Sequence, residues 1–454
     1  MDYLKSIKTI SVFVFIIISI PAGWSQKELA SRGFAGFGYR AITRADVDSM
    51  NLSDTNGVCI NLVLPDSPAE RAGFRAGDIL KKYDDQVIMD NLQFVGIYQK
   101  YYAGDKIRVT FLRNDSLKKT GLTLEQFPRE TSSEIDIEYT SFPAGDAYLR
   151  AVVTSPPDSR DEKLPALLIV SALGSYRLIA SPYYSLQKEL AYDVSKAGFR
   201  VLRFEQRGFG DSEGEDFRTM DFDLEVNDNQ AALDYLLSRN DVDRDNVFVF
   251  GHSTGGIVAA LIAAERQIAG IITSCTIGRT YYERTVETLR LQGELAGDSK
   301  IEIDETIKKY MNLMVPVAQG RSLPEILRES PEIAGLVNIN GRIMDDRTAE
   351  YWHQKLNLNI PRIYSKITEP VLIIYGESDY LTQLACHKNI EDVLLSENNP
   401  NVTLKAIPDL DHAYTYARDK KESFMNYKTR NFKKNQEVFN EITAWIDMIS
   451  KKMD

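Results

Sequence analysis

The chain is 454 residues long, enough for two or three domains. Its 43 % hydrophobic and 26 % charged residues are an ordinary globular balance, which excludes a disordered chain, a collagen-like fibre and a multi-span membrane protein. With 54 Lys and Arg against 65 Asp and Glu the formal charge is −11, so no nucleic-acid partner is expected, and three cysteines (Cys59, Cys275, Cys386) are too few and too scattered for a disulfide framework or a zinc site.

Lys5 and Lys8 precede an apolar run over residues 9–20, and Pro21, Ala22, Gly23 and Ser25 follow it. Charged, apolar and small residues in that order predict a secretory signal peptide over residues 1–25, cut near Ser25–Gln26. The run is too short to cross about 30 Å of hydrocarbon as a helix, so no stable membrane span is expected after cleavage. The folded part is expected in the periplasm or secreted, with free buried thiols or at most one disulfide.

Residues 30–127 read as short β runs between turns. Residues 57–64 are strand-like, and Ser67 and Pro68 suit the cap and first turn of a short helix. Gly73 and Gly77 suit positive φ, a turn is expected at Asp85-Gln86, and Lys106–Arg113 alternates cleanly as a strand. On residues 67–80 (SPAERAGFRAGDIL) and 33–38 (GFAGFG) this block resembles a PDZ domain of the bacterial envelope type. The resemblance implies capture of a peptide C-terminus as an added strand, its carboxylate held by backbone N–H groups of Phe34, Ala35, Gly36 and Phe37. Ala35 stands where a larger apolar residue is usual. The other reading is a domain that packs on its neighbour and binds no tail.

A polar join over residues 127–134 leads to a second block, residues 133–452, where strands alternate with helices. Residues 165–171, 201–204, 247–250, 268–274 and 371–375 are apolar runs of strand length. Helical spacing links Leu186, Leu190, Val194 and Ala197, and returns over residues 226–237 and 257–264. Such units imply a mostly parallel, doubly wound α/β sheet with its chemistry at the carboxyl ends of the strands.

Gly251-His252-Ser253-Thr254-Gly255 lies between a strand and a helix, the setting of a nucleophile elbow. A serine needs a base, and the chain has four histidines. His252 adjoins the serine and is expected to point away across the turn. His353 falls in a helical insert and His387 in a helix-like segment. His412 sits in a loop after the strand-like residues 402–407 and is the expected base. Asp379, directly after a strand, is the expected carboxylate, with Glu377, Asp409 and Asp411 as rivals.

The order Ser253, Asp379, His412, together with residues 207–212 (RGFGDS) and 367–379, resembles the α/β-hydrolase superfamily. Glu205 stands where Asp is usual, and Ser171 and Ala172 replace a His-Gly pair. The resemblance implies an acyl-enzyme on Ser253, an oxyanion hole from the Leu173 and Thr254 backbone N–H groups, and no metal or organic cofactor. A helical lid is expected over residues 278–365. Its Tyr281, Tyr282, Met311 and Met314 are expected to be mostly helix–helix core, and no acidic cluster stands out to bind a free amine. The function expected is a serine carboxylesterase acting on a small-molecule ester. The alternatives are a peptidase of the same fold, aminopeptidase-like, and a non-catalytic PDZ-bearing binding protein.

Overall fold

A computed structural model describes residues 27–50, 52–171, 185–338, 340–429 and 432–453; the expected signal peptide lies outside them. The amino-terminal block is an antiparallel sheet in the order Phe37–Ala41, Val58–Val63, Ile79–Tyr83, Lys106–Arg113, Ser116–Thr123, with Gln86–Val87 paired to Ile79–Tyr83. Ser67 caps the helix Pro68–Arg71 by accepting the Glu70 N–H. The turn falls at Asp84 and Asp85, one residue earlier than expected, because Asp84 takes the left-handed conformation (φ 53) and frees Gln86 for the ladder. Tyr83, Phe94, Ile107, Val109 and Phe111 fill its core.

In the second block the strands are numbered from its own start: β1 (Asp136–Ala144), β2 (Ala147–Ser155), β3 (Leu164–Ile169), β4 (Arg200–Phe204), β5 (Val242–His252), β6 (Gly270–Ser274), β7 (Val371–Gly376) and β8 (Val402–Ile407). They form one sheet in the order β8-β7-β6-β5-β3-β4-β2-β1. Strand β2 runs antiparallel to β1 and β4, and the other pairs are parallel. The β1–β2 hairpin was not expected from the sequence; Gly145 at φ 60 lets two residues close it.

The helices are α1 (Leu186–Lys196), α2 (Phe222–Ser238), α3 (Gly255–Ala263), α4 (Tyr281–Ala296), α5 (Lys300–Ala318), α6 (Leu323–Glu329), α7 (Ala349–Leu356), α8 (Ile360–Tyr364), α9 (Leu384–Ser396), α10 (Lys420–Thr429) and α11 (Gln436–Met453). Helices α1 and α11 bury Leu190, Val194, Phe439 and Ile442 against one face of the sheet. Helices α2 and α3 bury Leu233, Leu236, Ile257 and Val258 against the other. Each such side chain contributes roughly 1.5–3 kcal/mol on burial. Coverage on both faces explains why β3 and β5–β7 are continuous apolar runs rather than alternating ones. Helices α4–α8 form an insert between β6 and β7, and capping boxes at Thr280, Ser299 and Ser322 open α4, α5 and α6.

The two blocks are joined by polar contacts. Asp211 accepts the Arg32 N–H at 2.8 Å and the Ser31 hydroxyl at 3.1 Å, and Arg218 donates to the Gln99 side chain at 3.0 Å. All three cysteines are buried free thiols. No helix among the described residues is long and apolar enough to cross a membrane.

Candidate active site

Strand β5 runs through His252, and the next residue, Ser253, takes φ 55. That conformation costs a serine of order 1–3 kcal/mol and persists only where neighbours over-determine it. Here the Ser253 N–H donates to the Ser274 carbonyl (2.9 Å), and the Ser253 carbonyl accepts from Thr276 Oγ1 (2.6 Å) and the Gly256 N–H (3.0 Å). The turn has no room for side chains: a Cβ on Gly251 would lie 2.3 Å from the Gly255 carbonyl oxygen, and one on Gly256 2.3 Å from Thr276 Oγ1. Thr254 is buried at the N-cap of α3 and makes no side-chain cap there. The positive end of the α3 dipole therefore lies beside Ser253.

His412 Nδ1 lies 2.8 Å from Asp379 Oδ2. Asp379 follows β7 and is fully buried. It accepts the Leu381 N–H (2.6 Å), the Thr382 N–H (3.1 Å) and the Thr382 hydroxyl (2.5 Å). Burial pushes its carboxyl up, but the His412 charge and these donors outweigh it and hold the group well below the usual carboxylate range. Asp411, also buried, shapes the loop instead, accepting from the Ala413 and Thr415 N–H groups and the Thr415 hydroxyl. Glu377 is exposed, and Asp409 sits at φ 52 in the preceding turn.

The remaining histidines are engaged elsewhere. His387 is fully buried; its Nδ1 donates to the Gln383 carbonyl (2.9 Å) and its Nε2 accepts the Thr276 N–H (3.1 Å). Burial pushes its pKa down to about 4. His353 Nδ1 meets the Val317 carbonyl within the insert. His252 departs from expectation: its Nε2 donates to the His412 carbonyl at 2.7 Å, and the two rings lie 4.7 Å apart. The strand continues through residue 252, so its ring sits where the 412 loop crosses the sheet edge, packed edge-on against Tyr414. Donor atoms of His252, Cys275 and His412 lie within 4.8 Å of one another, but both rings already spend a nitrogen on these hydrogen bonds.

A cavity of about 590 Å³ contains Ser253, Thr254, His252 and His412 from the sheet edge and Tyr281, Arg284 and Trp352 from the insert. Of the four insert residues singled out, Tyr281 lines this cavity, Met314 is fully buried, and Tyr282 and Met311 pack against the core. Tyr427 and Phe432 also line it. They come from the segment after His412 that carries α10, which sequence reasoning missed because that helix has a largely polar sequence with little apolar stripe. Leu173 lies outside the described residues. Just before it, Asn229 of α2 brackets the Ser171 backbone, accepting its N–H at 3.0 Å and donating to its carbonyl at 2.9 Å. Glu205 is buried and accepts the Asp211 N–H at 2.6 Å; the longer acid fits because residue 210 is glycine.

In the amino-terminal block, the Ala35 N–H donates to the Tyr98 hydroxyl at 3.0 Å, and Gly36 takes φ 79. Phe37 packs against Phe94 and Tyr98, while the Phe34 ring meets Phe127 at a tilt of 54°, centroids 4.9 Å apart.

Residues 182–419, just over half of the chain, match the family described as serine aminopeptidase, S33, and residues 39–124 match the PDZ domain family. The chain is 25 % identical over 263 residues to esterase EstD of Thermotoga maritima, covering 57 % of this chain and 56 % of that protein. It is 28 % identical over 192 residues to the quorum-quenching protein AidA of Acinetobacter baumannii, covering 40 % and 61 %. It is 31 % identical over 100 residues to a probable periplasmic serine endoprotease, DegP-like, of Marinomonas sp., covering 22 % and 21 %. The chain thus spans less than two thirds of the length of each of these relatives. A solved esterase of Pyrococcus furiosus aligns at a TM-score of 0.43 and 16 % identity over 72 % of this chain and 96 % of its own. The chain has the α/β-hydrolase fold, belongs to the serine aminopeptidase S33 family and carries a PDZ domain in its amino-terminal block.

Proposed function

We propose that the protein cleaves carboxylic esters through an acyl-enzyme on Ser253 and works in the periplasm or outside the cell. His412 takes the Ser253 proton and returns it to the leaving alcohol. Asp379 fixes the His412 tautomer and stabilises the imidazolium. The Thr254 N–H, with the Leu173 N–H implied by the superfamily resemblance, receives the oxyanion; one such donor is worth about 3 kcal/mol in other enzymes. Water then hydrolyses the acyl-enzyme. The observation that carries this reading is the 2.8 Å His412–Asp379 contact beside the cavity that contains the strained Ser253. The likeness to a protein named as an esterase supports the ester substrate, and the likeness to one named as periplasmic supports the location. The PDZ domain docks a peptide tail or partner.

Fluorophosphonate labelling tests the nucleophile. Native protein labels and Ser253→Ala does not; equal labelling of both overturns the assignment. Turnover of short p-nitrophenyl esters with none of aminoacyl anilides is expected, and the reverse result makes the protein a peptidase.

A further inference from the structure

The insert side of the cavity carries a cation that no described residue pairs with. Arg284 lies in the first turns of α4 and lines the cavity together with Ser253 and His412. No hydrogen bond or ion pair joins its guanidinium to any described residue, and its Nε is buried without an acceptor. Tyr281, three residues earlier and on the same face of the helix, is 2 % exposed, and its hydroxyl has no partner among the described residues either.

The surroundings add positive charge. Lys355 is fully buried, donates to the Tyr351 hydroxyl at 2.8 Å, and sits 4.9–5.6 Å from the ring centres of Phe222, Tyr281, Tyr351 and Trp352. Arg347 pairs with Glu225 at 2.8 Å, both buried. Three cations, Arg284, Lys355 and Arg347, therefore meet two carboxylates, Glu225 and Asp345. Asp345 lines the same cavity but is exposed, so water screens its charge. An ammonium group entering here would meet net positive charge. A carboxylate would supply the acceptor that the guanidinium lacks, and the planar fork of arginine suits that group in bidentate geometry.

We propose that Arg284 is a specificity residue that selects esters carrying a second, free carboxylate, which seats against its guanidinium on the insert side of the cavity. The proposal rests on the reading of the protein as an ester hydrolase acting through Ser253 and names the substrate class of that site.

The test is the ratio of kcat/KM for acid-bearing over neutral esters of matched length, in two arms. One compares mono-p-nitrophenyl esters of straight-chain diacids with p-nitrophenyl esters of the equally long fatty acids. The other compares para-carboxyphenyl butyrate with phenyl butyrate. The arms tell whether the carboxylate belongs to the acyl or the alcohol part. In wild type the ratio exceeds one in at least one arm. In Arg284→Gln that ratio falls roughly 10- to 100-fold, the scale of a lost charge-assisted hydrogen bond, and Arg284→Lys keeps part of it. Because the readout is a ratio within one preparation, a general loss of folded protein does not move it. A wild-type ratio below one in both arms, or an unchanged ratio in Arg284→Gln, overturns the proposal. If wild type turns over neither class while Ser253 still labels with fluorophosphonate, the ester reading itself fails and the Arg284 assignment fails with it.

Discussion

His387 shows how a buried residue links the site to pH. Both ring nitrogens are hydrogen-bonded in the neutral form, and burial holds the folded-state pKa at about 4, against roughly 6.5 in the unfolded chain. Between those values the unfolded chain binds a proton that the folded one does not. Stability therefore falls as the pH drops from about 6.5 towards 4 and is insensitive to this group above that window. The shift corresponds to about 3 kcal/mol at its full extent. Unfolding free energies from urea titrations at a series of pH values should fall across this window in wild type, and the total fall should be smaller by about 3 kcal/mol in His387→Gln. At the same scale, that His412 rather than His387 meets Asp379 accords with chain position, because a loop after a strand can reach over the sheet edge and a helix cannot. The direction of the His252 ring was not legible, since it depends on where the 412 loop, about 160 residues later, crosses strand β5.

At the scale of elements, the insert is fixed to the sheet domain by a buried ion pair. Arg347, between the insert helices α6 and α7, is fully buried, pairs with Glu225 of α2 and donates to the Phe217 carbonyl. Removing it leaves Glu225 charged and buried, with the Tyr351 hydroxyl at 3.3 Å as its remaining side-chain donor. Arg347→Met should destabilise the protein by about 3–5 kcal/mol, whereas the double variant Arg347→Met, Glu225→Gln should recover part of that loss, because the uncompensated charge is gone. The urea midpoints of the two variants, compared with wild type, check this. The helical character of the insert was readable from one apolar stripe through Ile303, Ile307 and Met314 and from the capping box of Ser322 with Glu325. This clamp was not, because nothing in the spacing of residues 225 and 347 marks them as partners. Helix α10 escaped for a different reason: its largely polar sequence offers no apolar stripe to read.

At the scale of the whole molecule, the PDZ domain meets the hydrolase-fold domain through polar contacts from Ser31, Arg32 and Gln99. The PDZ domain's Ala35 amide, in the loop expected to hold a peptide carboxylate, is bonded to the hydroxyl of Tyr98, the last residue of the helix Asn91–Tyr98, so a carboxylate arriving there would compete with that hydroxyl. Tyr98→Phe removes that competitor. The variant should bind carboxylate-ended peptides about 3- to 10-fold more tightly, the value of one neutral hydrogen bond, as read by calorimetry on the full chain. Equal affinity in both proteins would show that the loop does not receive the tail. The same helix ends next to Gln99, which meets Arg218 of the second block, so this end of the helix is part of the contact between the two blocks.

The amino-acid sequence by itself determined the sheet, the strand–turn–helix setting of Ser253 and the placing of Asp379 and His412 in turns after strands. Those follow from local rules: apolar runs need burial on both faces, a tight turn needs glycine, and strand ends collect chemistry. The tertiary structure alone decided what surrounds them, including the hydrogen bond from His252 to the 412 loop, the Arg347–Glu225 clamp and the unanswered charge of Arg284. Each of these depends on side chains far apart in the chain meeting at hydrogen-bond or ion-pair range, or failing to meet, and no local pattern encodes such a distance.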